Sequence, residues 1–106
     1  MELQDLHREI YLCCKREIHN KRDSIVEDAK QLMPMIQEFT KIVAEPNNFD
    51  MTIEEYRALR QYYFDILNDL ISGIENRDCV LTYDALGYGL LEFVALFLPE
   101  GEWEKL

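Results

Sequence analysis

The sequence predicts an all-α protein, an antiparallel bundle of three to four helices. Three observations carry this expectation. Only four glycines and three prolines punctuate 106 residues, too few to turn many short strands. Between residues 2 and 45, Tyr11, Ile18, Ile25, Leu32 and Phe39 recur in strict steps of seven. Between residues 53 and 75, apolar and polar side chains separate onto two faces at steps of three and four.

Each element follows from local signals. A first helix is expected over about 2–20 and a second over about 24–45. Between them, "HNKRDS" is strongly polar, and "SIVE" at Ser24–Glu27 reads as a capping box that starts a new helix. The unbroken seven-residue phase argues instead for one long kinked helix. Such a helix of 44 residues would be about 65 Å long, beyond anything else in the chain to pack on, so a break or kink is favoured. Ala29, Ile36 and Val43 thicken the later stripe, and Pro34 should kink this segment. "EPNNFDMTIEE" is the clearest loop, and Thr52 with Glu55 forms a second capping box. The third helix, 53–75, buries Tyr56, Leu59, Tyr63, Ile66, Leu70 and Ile74. It wets Gln61, Asp65, Asn68, Ser72 and Glu75. "ENRD" is a tight connection that makes the next helix its antiparallel neighbour, with Asp78 as N-cap.

The last helix, about 79–98, is apolar on most sides. Its minor face is Asp78, Thr82, Ala85, Gly89 and Glu92. Asp84 and Glu92 interrupt it, and the tail at 99–106 is acidic, so membrane spanning is not expected. A helix covered in so many directions needs several neighbours. Either the N-terminal segment closes the bundle, or another chain does. The whole chain, 1–106, is expected to form a single helical domain with an acidic C-terminal tail.

The net charge of −10 is uneven. Residues 1–45 carry seven basic and nine acidic groups, and residues 46–106 carry four and twelve. Such a surface repels phosphate backbones and anionic lipid, so neither nucleic acid nor membrane is an expected partner. Three cysteines, Cys13, Cys14 and Cys79, fit no disulfide framework, and the N-terminus lacks an apolar signal region. A cytoplasmic location is expected.

No catalytic or metal-binding motif stands out, and no cofactor is expected. CxxC, HExxH, GxSxG and Glu-x-x-His are all missing. His7 and Cys14 share a helix face but lie about 10 Å apart, so a half-buried thiol and a surface imidazole are expected rather than a catalytic pair. "GYG" at Gly87–Gly89 lies inside a helix and suits a close helix approach or a bend. "YYF" at Tyr62–Phe64 lacks the basic groove that base stacking needs and reads as core. Asp84 stands on the apolar stripe of Val80, Gly87, Leu91 and Val94. A buried polar contact is expected there, with Arg57, Arg60 or the hydroxyls of Tyr56, Tyr62 and Tyr63.

The run Tyr62–Phe93 carries the pattern "IL-x-DL … E-x-x-D-x-V-L-x-x-D-x-L" through Ile66, Leu67, Asp69, Leu70, Glu75, Asp78, Val80, Leu81, Asp84 and Leu86. It resembles the C-terminal helical hairpin of small, uncharacterised bacterial all-α proteins. The resemblance covers about a third of the chain. It implies a bacterial origin and an all-α fold, and no activity.

These observations together suggest a non-enzymatic protein–protein interaction module: an adaptor, a chaperone or a small regulator. The expected interaction surface is Tyr11, Ile18, Phe93, Phe97 and Trp103, with self-association as a homodimer. An acidic mimic of nucleic acid that inhibits a basic protein is the first alternative. An enzyme with an unannounced site in the bundle core is the second.

Overall fold

In a computed structural model the described residues are 2–20 and 24–98, less the side chains of residues 18–20. All regular structure among them is helical: α1 (Leu3–Asn20), α2 (Ile25–Val43), a 3-10 turn (Pro46–Asn48), α3 (Ile53–Glu75) and a composite last helix. The last helix runs as α4 (Cys79–Asp84), a π-helical turn (Ala85–Leu90) and α5 (Leu91–Ala95). No helix among the described residues is long and apolar enough to cross a membrane.

The first two helices are separate, and α1 packs back on α2. Arg16 of α1 reaches Asp28 of α2 at 3.9 Å. The inward stripe of α1 is Leu6, Ile10 and Cys13, flanked by His7 and Cys14. Tyr11 lies at the margin of that stripe, half-buried, with the Lys15 ammonium 5.6 Å above its ring. The steps of seven therefore do not form one continuous face. On α2 they hold, because Ile25, Leu32 and Phe39 are buried beside Ala29, Ile36 and Val43. Ser24 does not cap α2 as expected: its backbone is already helical and its side chain makes no capping hydrogen bond. α2 continues through Pro34, which lies on its exposed side. There the ring and the carbonyl it leaves without an N–H donor can meet water.

The loop after α2 closes that helix with side chains. Asn48 Nδ2 donates to the Ile42 carbonyl at 3.0 Å, and the Tyr56 hydroxyl donates to the Val43 carbonyl at 2.8 Å. Both satisfy carbonyls that a helix C-terminus leaves without partners. At the start of α3, the Thr52 hydroxyl oxygen accepts from the Glu55 N–H at 3.2 Å and lies 3.0 Å from the Glu55 carboxylate. α3 buries Tyr56, Tyr63, Ile66 and Leu70, with Leu59 and Ile74 half-buried, and exposes all five residues of its expected wet face.

α3 ends in a Schellman turn. The Asp78 N–H donates to Gly73 O at 2.8 Å and the Arg77 N–H to Ile74 O at 3.2 Å. Arg77 takes the left-handed position, at φ 51. Its guanidinium meets Glu27 at the start of α2, at 2.8 Å. Asp78 then caps α4 by accepting from the Leu81 N–H at 3.0 Å.

The core is aromatic at the end where α2, α3 and α5 meet. Phe93 sits at its centre, 1% exposed, within ring contact of Phe39, Tyr62, Tyr63 and Phe97. Tyr63 OH and Thr40 Oγ1 lie 2.6 Å apart, so this buried hydroxyl has a partner. α1 packs on both the π-helical turn and α5, α2 packs on α4, and α3 packs on α4 and the π-helical turn. The N-terminal segment thus closes the bundle over the last helix.

Candidate interaction surface

The last helix is nearly enclosed, and the side chains left outside form one line. Between Cys79 and Leu96 the exposed residues are Val80, Asp84, Tyr88, Glu92 and Leu96, every fourth position. Val80 is 73% exposed, Tyr88 63% and Leu96 66%. In a regular α-helix four steps of four would carry Leu96 about 160° around the axis from Val80. The π-helical turn prevents this. The Leu91 N–H donates to Leu86 O, an i→i+5 bond. One inserted residue sets the register back by about 100°, leaving roughly 60° between the ends of the line. The five side chains therefore share a face.

The minor face of this helix is divided. Thr82, Ala85 and Gly89 are buried against the bundle, while Asp78 and Glu92 at its ends are exposed. Their small size lets the helices approach closely. A Cβ added at Gly73 of α3 would lie 2.5 Å from Thr82 Oγ1 and 2.9 Å from Thr82 N. One added at Gly89 would lie 2.8 Å from Ile66 Cγ2. The "GYG" segment thus combines both roles that its glycines suit, a close approach at Gly89 and the site of the register shift.

The structure corrects the expectations for Phe93, Phe97 and Asp84. Phe93 is the centre of the core and presents no interaction surface. Phe97 is half-buried between Phe39, Phe49 and Phe93. Asp84 is exposed and makes no ion pair with Arg57 or Arg60 among the described residues. The reason is register. Gly73 lies against Thr82, Ile66 against Gly89 and Tyr62 against Phe93, which sets Ile71 level with Asp84. Arg57 and Arg60 then lie about three to four turns further along α3. Both are exposed, with Arg60 5.5 Å over the Phe64 ring. The side chain of Ile18, and Trp103 with the rest of 99–106, lie outside the described residues.

The buried thiols and imidazole are set apart from this line, while Tyr83 borders it. Cys13 and Cys14 are buried, and burial foremost pushes both thiols up to about 12, with nearby acidic groups adding to it. They are protonated at neutral pH and so poor nucleophiles. His7 is 3% exposed, not at the surface as expected. The half-buried Tyr83 hydroxyl is also raised, by burial first and then by Cys14, Tyr88 and Asp84. Its ring meets Tyr88 edge-on at 6.1 Å. Among the described residues no group of three or more His, Cys, Asp or Glu side chains is placed to hold a metal ion.

The chain matches no protein-family model, no curated protein and no solved structure.

Proposed function

We propose that the protein is a non-enzymatic interaction module that binds another polypeptide along the outer line of its last helix. The observation that carries this reading is the alignment of Val80, Tyr88 and Leu96. All three are large, mostly exposed and held on one face, while the other apolar side chains of the helix are buried or half-buried. Isolated apolar side chains on a surface are ordinary, but here three are aligned on one helix face, alternating with two carboxylates, a pattern that suits an amphipathic partner. Tyr88 at its midpoint is the residue type found at binding hot spots. The buried, protonated thiols are poor nucleophiles, which favours binding over catalysis.

The test is a photoreactive benzoylphenylalanine at position 88, with the same group at the exposed Gln37 of α2 as control. A discrete polypeptide adduct at position 88 is expected, lost when Val80 and Leu96 become serine. No adduct at 88, or equal adducts at 88 and 37, would refute the reading.

A further inference from the structure

Resting on that reading, we infer that the occupant of the outer line is a basic amphipathic helix from a different protein, not a second copy of this chain. The line alternates in character: Val80, Asp84, Tyr88, Glu92, Leu96. Its two carboxylates are exposed and lie eight residues apart, about 12 Å along the axis. No lysine or arginine occurs between Asp78 and Leu98 to neutralise them.

Charge rules on the second copy. Antiparallel self-pairing centred on Tyr88 sets Asp84 of each protomer against Glu92 of its partner. Parallel pairing sets each carboxylate against its own duplicate. Both place like charges together in a seam being stripped of water, which costs association energy. Anionic lipid is disfavoured for the same reason. A helix with apolar side chains at steps of three and four, and Lys or Arg some seven or eight positions apart, satisfies every member of the line. Its apolar residues cover Val80, Tyr88 and Leu96, and its cations meet Asp84 and Glu92. The matching length is about 16 residues, roughly 24 Å. Tyr83, edge-on to Tyr88, braces the central ring from the side.

The probe is a synthetic alanine-based helix of about 18 residues carrying a leucine stripe and two lysines eight positions apart. Its counterpart carries glutamates instead. Each is titrated into the full chain by calorimetry. The lysine peptide is expected to bind at least about tenfold tighter than the glutamate peptide, and to weaken about tenfold between low and high salt. Tyr88→Ser and Leu96→Ser should each weaken it about fivefold or more. Asp84→Asn with Glu92→Gln should flatten the salt dependence. Asp65→Asn with Asp69→Asn, exposed on α3, should change neither. Equal binding of the two peptides, or an equal loss in the α3 control, would overturn the inference.

Light scattering over a hundredfold dilution supplies the separate arm. A species of twice 12.6 kDa that Tyr88→Ser dissolves would make the line a self-interface. The basic partner would then be wrong while the module reading stood. Absence of any adduct at position 88 would remove the module reading itself.

Discussion

Gly73→Ala tests the packing that sets the outer face of the last helix. In an exposed helix interior this substitution stabilises by about 1 kcal/mol, because alanine loses less backbone entropy. Here the new Cβ would lie 2.5 Å from Thr82 Oγ1, 2.9 Å from Thr82 N and 3.1 Å from Thr82 Cα. Two of the three atoms are backbone. The third is held too: Thr82 Oγ1 donates to Asp78 O at 2.7 Å, and the Thr82 N–H donates to the same carbonyl at 3.0 Å. Thr82 cannot turn aside, so α3 and α4 must separate. Overpacking of this kind costs about 1–3 kcal/mol, and backbone contact puts it near the top of that range. Less the propensity gain, the net loss is about 2 kcal/mol, or a fall in Tm of about 8–10 °C for a chain of this size. Urea and thermal unfolding followed by far-UV circular dichroism read it directly. Gly89→Ala is the internal comparison. Its Cβ meets only side-chain atoms of Ile66, at 2.8 and 3.3 Å, so the loss should be about half as large or less. An unchanged or raised Tm for Gly73→Ala would refute the close approach of α3 and α4.

Four further outcomes follow from the same contacts. Cys13 and Cys14 have thiols raised from 9.0 to about 12, so the unfolded chain loses their protons first. Stability should therefore be flat below about pH 9 and fall above it, by about 1 kcal/mol per cysteine at pH 10, a loss that Cys13→Ser/Cys14→Ser should remove from the pH profile. Tyr56→Phe leaves the buried Val43 carbonyl without its donor and should cost about 1–2 kcal/mol in urea unfolding. Arg77→Gly relieves a left-handed conformation worth about 1 kcal/mol and loses an exposed bridge to Glu27, so the urea midpoint should hold or rise, whereas Arg77→Ala should lower it. Phe93→Ala should cost about 3–5 kcal/mol while Tyr88→Ser stays within about 0.5, and equal losses would mean that the last helix is turned differently.

The elements with one wet and one dry face were legible in the sequence. α3 is the clearest: hydrophobic spacing picked out Tyr56, Tyr63, Ile66 and Leu70 for the core and Gln61 to Glu75 for water. Thr52 and Asp78 were legible as caps because the same residue type both accepts the N–H and disfavours continuing the helix backward. The last helix was not legible in the same way. Its polarity pattern marks Thr82, Ala85 and Gly89 as the weak face, but close helix packing rewards small side chains regardless of polarity, so that face went inward. A period of 3.6 also cannot express the π-helical turn, which moves Tyr88 and Leu96 into line with Val80. The glycine pair of "GYG" was the available signal. In α1, the seven-residue steps misplaced Tyr11 because the chain reverses between α1 and α2, and a period read across a reversal joins two unrelated faces.

The inward and outward faces of the last helix depend on each other. Thr82 and Gly89 can seat on Gly73 and Ile66 only if the helix keeps one orientation along its length, and Phe93 must still reach Phe39 and Tyr63 at the far end. The π-helical turn sets the register back within the last helix and leaves a row of every fourth residue facing out. Val80, Asp84, Tyr88, Glu92 and Leu96 are therefore aligned by a register shift inside the last helix itself. The proposed basic helix would meet side chains that are already in line, so little affinity would go to ordering them.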